Sequence, residues 1–115
     1  MKHNFRELKI WQNAMDITVK TYLLSGDLPS DERFGLKPQI QRSAVSLPSN
    51  IAEGSGRTTD KDFGKFIDYS LSSSYELETQ MILINRIYQL NTEPIISELT
   101  EFQKMTGSFR NKLKT

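Results

Sequence analysis

From Phe63 through Ile67, Ser70, Ser74, Leu77, Met81 and Ile84 to Tyr88, apolar and small residues recur at alternating steps of four and three over about seven turns. This is helical spacing, because residues three and four apart share one face of a helix whereas strand faces repeat every second residue. It predicts a helix over 60–89, opened by Thr59 with Asp62 three residues on, a capping box with a shortened acid. A long helix with an apolar stripe must bury that stripe against other elements, and the rest of the chain supplies them. Leu8, Trp11, Met15 and Tyr22 form one row and Ile10, Ala14, Ile17 and Leu24 another, predicting a helix over 6–24 that stops before Ser25-Gly26-Asp27-Leu28-Pro29. Ile40, Ala44, Leu47 and Ile51 predict a helix over 38–54, closed by Gly54-Ser55-Gly56 as C-cap and turn. Pro38 suits its first turn, where a missing N–H costs nothing, and Pro48 inside it should kink it. Thr92 as cap and Pro94 near the first turn open a fourth helix over 93–113, in which Ile95, Leu99, Phe102, Thr106, Phe109 and Leu113 recur. Short connectors favour antiparallel neighbours, so the expected fold is all-α: one domain, residues 1–115, as an antiparallel up-down-up-down four-helix bundle.

Composition narrows the chemistry. Cysteine is absent, which excludes a disulfide scaffold, a zinc–cysteine site and a cysteine nucleophile, and fits a reducing cytoplasm. No apolar run reaches the ~20 residues of a membrane span, so no membrane partner is expected. The dinuclear metal sites of helical bundles need Glu-x-x-His pairs, but the single histidine, His3, precedes the first helix and reads as a solvated end residue. A Ser-His-Asp triad would need that same histidine, and neither a nucleophile elbow nor a phosphate-loop lysine is present. The expectation is a protein without catalytic, metal or cofactor site and without a small-molecule substrate. Fifteen basic residues against fourteen acidic give a net charge of +1, spread almost evenly along the chain. Arg110, Lys112 and Lys114 follow the last acid, Glu101, and read as cations complementing the C-terminus of the final helix.

Two features exceed what a simple bundle core requires. Met81-Ile82-Leu83-Ile84 is apolar all round, Leu71, Tyr75 and Ile82 make a second row on the third helix, and the first helix also carries two rows. Helices apolar on both sides are buried on both sides, which predicts self-association. The second feature is polar. Gln39, Arg42, Ser46, Asn50 and Glu53 share a row on the second helix, and Tyr69, Ser73, Glu76 and Gln80 share one on the third. In an antiparallel hairpin Arg42 would lie beside Glu76 or Ser73, and Glu53 near Lys65 or Asp62. The expectation is a structural, hydrogen-bonded network that fixes register, with a ligand read by Arg42 or Asn50 as the alternative.

The chain closely resembles the small four-helix-bundle proteins encoded in intervening sequences of bacterial 23S ribosomal RNA genes. The resemblance lies in Phe5-Arg6-Glu7-Leu8 with Trp11-Gln12, in Leu28-Pro29 with Glu32-Arg33-Phe34-Gly35-Leu36, and in Gln39-Ile40 with Arg42. Its most specific part is Val45-Ser46-Leu47-Pro48-Ser49-Asn50-Ile51-Ala52-Glu53-Gly54, and Ser74 with Glu76-Leu77-Glu78-Thr79-Gln80 completes it. It implies a bacterial homopentameric ring of bundles, of largely undetermined role, associated with nucleic acid. The accessory proteins of diversity-generating retroelements are similar and strongly basic. Here Gln41 stands where an arginine is common, Lys37-Pro38 replaces a polar cap, and the net charge is close to zero.

Two functions from different classes follow. One is an oligomeric accessory factor associated with RNA or DNA, binding weakly and without sequence specificity through Arg57, Lys61 and Lys65 at the turn between the second and third helices. The other is a structural or protein-binding scaffold without nucleic-acid contact.

Overall fold

A computed structural model describes residues 3–113. A 3-10 turn at Phe5–Glu7 leads into α1 (Lys9–Ser25), and a second at Ser30–Glu32 precedes α2 (Leu36–Ser55). Helices α3 (Asp60–Tyr88) and α4 (Glu93–Lys112) follow, and no strand occurs among the described residues. Each helix packs on the next in sequence and α1 closes the ring on α4. Hydrogen bonds give the directions. Ser43, Ser46 and Leu47 on α2 meet Glu76, Ser73 and Ser70 on α3, the partner's number falling as the first rises, so the two helices are antiparallel. Asn13 with Met105 and Lys20 with Glu98 give the same relation for α1 and α4.

The apolar rows define the core. Ile10, Ala14 and Ile17, then Ile40, Ala44, Leu47 and Ile51, then Phe63, Ile67, Leu77, Met81 and Ile84, and finally Ile95, Leu99 and Phe102 are all buried. On α1 only the row through Ala14 points inward, continued by Thr21 and Ser25. The other row is divided: Leu8 and Trp11 are half-buried against the core, whereas Met15 and Tyr22 are exposed, as are Val19 and Leu23, the last at 72 %.

Several boundaries differ from the sequence reading. The first helix does not begin at residue 6, because Leu8 is extended (φ −76°, ψ 125°) and separates α1 from a 3-10 turn whose first N–H groups are capped by Asn4. Helix α2 starts two residues earlier than expected, at Leu36, which leaves Pro38 within its first turn. Thr59 caps α3 as expected, accepting from the Asp62 N–H at 3.1 Å. Thr92 holds the N-cap position of α4 without capping it with its side chain. Its hydroxyl instead donates to the Met81 carbonyl at 3.0 Å, while the Asn91 side chain accepts from the Glu93 N–H. The buried threonine hydroxyl thus finds its acceptor on α3 rather than on its own helix.

Helix α2 runs unbroken through Pro48, which is itself buried. Proline lacks the N–H that would bond the carbonyl four residues back, that of Ala44. The Thr18 hydroxyl on α1 lies 2.9 Å from that carbonyl and 2.8 Å from its own Ala14 carbonyl, and can donate to either. Gly54 lies inside α2 rather than in a turn. A Cβ there would stand 2.6 Å from the Phe66 Cβ and 2.8 Å from the Phe63 ring, so its role is close approach of α2 to α3. The C-cap proper, Gly56, has ordinary right-handed angles.

Candidate functional site

The α2–α3 seam gathers part of the polar row expected from the sequence. The Asn50 amide donates to the Ser46 carbonyl at 2.9 Å and to its hydroxyl at 2.8 Å. Ser46 and Ser73 hydroxyls are 2.7 Å apart, so a Ser46 oxygen accepting from Asn50 is free to donate onward to Ser73. Ser70 donates to the Leu47 carbonyl at 2.9 Å. Glu76 receives its bond from Ser43 at 3.0 Å.

The charged members behave differently. Arg42, Glu53 and Gln39 are exposed, and among the described residues neither Arg42 nor Glu53 forms an ion pair. The expected pairing of Arg42 with Glu76 or Ser73, and of Glu53 with Lys65 or Asp62, is therefore not made. Ser43, the neighbour of Arg42, turns into the seam and takes Glu76, while the long arginine extends to water, where its charge needs no partner. Gln80 is buried, and its amide oxygen has no hydrogen-bond partner. Sequence reasoning missed Ser43 and Ser70 because a serine in a helix can equally bond its own preceding turn, as Ser74 does with Leu71.

The seam is built for packing. Activating a serine requires an adjacent base, yet Ser46 and Ser73 face each other and an amide, and Ser43 beside Glu76 is 4 % exposed. Among the described residues no group of histidine and carboxylates could hold a metal ion. His3 is exposed, and its ring lies 5.0 Å from that of Phe63 and 6.0 Å from that of Phe109.

The cationic candidates sit at the end of the bundle where α1 begins and α4 finishes. Arg57, Lys61 and Lys65 are exposed, with the Arg57 guanidinium 4.6 Å from the centre of the Phe66 ring. The antiparallel fold brings Lys9 of α1 and Lys104 and Lys112 of α4 together at the same end. Arg110 also lies there, donating to Asp68 at 3.0 Å and covering Gly64. Glu7, Glu53, Asp60, Asp62 and Asp68 moderate this charge without matching it in number. Folding thus segregates cations that are evenly spaced in sequence.

At the opposite end, Glu32 joins the inter-helix segment to two helices. Its carboxylate accepts from the Leu36 N–H at 2.9 Å and from the Tyr88 hydroxyl. The Leu36 bond, then the Tyr88 bond, hold Glu32 below its ordinary pKa, and the same contact raises that of Tyr88. Lys20 is raised by its hydrogen bond to Glu98.

This geometry defines a small helical bundle with a serine-rich seam, apolar outer rows and one cation-rich end. The chain belongs to the family described as 23S rRNA-intervening sequence protein, which it matches over residues 6–108. It is also similar to a crystal structure from Bacteroides thetaiotaomicron, described as a protein with unknown function from the S23 ribosomal protein family. The two share 23 % identity over 90 % of this chain and 99 % of that one, with a TM-score of 0.82, which establishes a common fold. No curated protein matches the chain. Neither family nor neighbour indicates a catalytic activity. No helix among the described residues is long and apolar enough to cross a membrane.

Proposed function

We propose that this chain is a non-enzymatic, self-assembling accessory protein of the bacterial cytoplasm whose cation-rich end holds RNA phosphates weakly and without reading sequence. The observation that carries the proposal is the apolar surface left outside: Val19, Tyr22 and Leu23 on α1, and Tyr75, Ile82, Leu83 and Ile87 on α3, are all exposed. Apolar rows of this extent are the usual mark of association. The number five rests on the family resemblance. A ring would repeat the Arg57, Lys61 and Lys65 cluster around its axis, giving a multivalent surface from individually weak contacts.

Sedimentation at micromolar concentration should give a mass several times that of one chain, and a monomer would remove the assembly. Structured RNA should bind at ~50 mM salt and be lost as salt rises, because the affinity comes from displaced counterions. Replacing Arg57, Lys61 and Lys65 together by glutamine should abolish that binding and leave the assembly intact. The near-neutral net charge of +1 favours a second reading, a scaffold without nucleic-acid contact. An absence of RNA and DNA binding at low salt would establish that reading in place of the first.

A further inference from the structure

We infer that the groove between the start of α1 and the last two turns of α4 is a binding site for a single-chain amphiphile with an anionic head, of the class of medium-chain carboxylates. The groove exists because the chain before α1 does not continue along α4. Leu8 is extended, and the 3-10 turn before it folds toward α2, with Phe5 in edge contact with Trp11 and the Gln12 amide bonded to the Arg6 carbonyl. The last turns of α4 thus keep α3 beside them but lose α1, leaving a cavity of about 400 Å³, within the range of small-molecule sites.

Leu8, Ile10, Met105 and Phe109 give the cavity apolar walls. Methionine adapts its shape to a flexible chain, and Phe109 is already anchored by an edge contact with Phe63. Ser108 and three lysines, Lys9, Lys104 and Lys112, complete the lining, and no carboxylate contributes to it. Among the described residues none of the three is in an ion pair, whereas Lys20, further along the same α1–α4 boundary, is held by Glu98 at 2.5 Å. Lysines lay their stems along apolar surface and keep the ammonium at the water boundary, which places charge where the head of a buried chain would emerge. Charge complementarity selects an anionic head over a neutral or cationic one. The groove's lysines belong to the same cation-rich end as Arg57, Lys61 and Lys65 but are different residues, so replacing one set of three or the other separates amphiphile binding from RNA binding.

The test uses the full chain labelled at its methionine methyls, titrated with decanoate below its micelle concentration, with decanol and adenosine monophosphate as comparisons. Decanoate should saturate at one per chain and shift the Met105 methyl while leaving that of Met15, on the exposed outer row of α1, in place. Replacing Lys9, Lys104 and Lys112 by glutamine should weaken decanoate about tenfold, as expected for three exposed charge contacts, with decanol unchanged. Ser108→Trp should block both by filling the groove. Absence of saturable binding, equal shifts at Met15 and Met105, an undiminished affinity in the triple variant, or tighter binding of the nucleotide than of decanoate would each overturn the assignment.

Discussion

Where α2 meets α3, glycine and serines bring the helices together and hydroxyls bond across the boundary; where α1 meets α4, the polar links are Lys20 with Glu98 and a 3.9 Å approach of the Asn13 amide to the Met105 sulfur. The first boundary is filled, and the second opens into a cavity. Both join antiparallel helices with continuous apolar rows, so binary patterning alone does not distinguish them. Residue size does. Small side chains permit close approach, and their hydroxyls then satisfy one another in the space that remains, whereas long side chains hold helices apart and leave volume between them.

The same substitution made in the α2–α3 seam and on the open surface of α4 gives the widest contrast. Gly54→Ala should destabilise the fold by about 1–3 kcal/mol, because the new methyl meets the Phe66 Cβ, which is fixed to its own backbone. Gly107→Ala on α4 should do the reverse, adding up to about 1 kcal/mol, since nothing lies within 4 Å of the added atom and alanine favours the helix. Urea unfolding of the two variants measures both, and effects of the same sign would show that the seam at Gly54 is no tighter than the open surface of α4.

A smaller effect concerns acid. Glu32 is held below its ordinary pKa in the folded state by the Leu36 N–H and Tyr88, so its contribution is present above the unfolded pKa and is lost as pH falls through the folded one. Glu32→Gln should flatten the acid limb of the stability profile, and an unchanged limb would show that the contact carries no linkage. Smallest of all is Arg42→Ala. With the guanidinium in solvent and unpaired, unfolding stability should change by no more than about 0.5 kcal/mol. A loss of several kcal/mol would restore Arg42 to the seam.

Much of this was legible beforehand, for identifiable reasons. The buried rows follow from helical periodicity, and every apolar residue expected along α3 from Phe63 to Ile84 is in the core. Spacing puts Ser46 and Asn50 on one row and Ser73 on the facing row, but sets Ser73 beside Arg42 where the structure pairs it with Ser46. Arg42 was misplaced because sequence gives the face of a residue but not whether a long side chain folds inward or extends to water. The segregation of cations was invisible because it arises only when distant segments are laid side by side. The cavity was equally hidden, since long side chains loosen this boundary but its opening at that end depends on the extended angles of Leu8.

The bond from Thr18 to Ala44 bears on how the molecule comes apart. Pro48 leaves α2 with a carbonyl that its own helix cannot satisfy, and the hydroxyl placed to satisfy it belongs to α1. An α2–α3 hairpin separated from α1 would have no protein donor for that acceptor beside Pro48. The most tightly fitted pair of helices is therefore not a self-sufficient folding unit. The Ala44 carbonyl comes within reach of a protein donor only when α1 docks, so the loss of α1 and the loosening of the hairpin belong to one cooperative event.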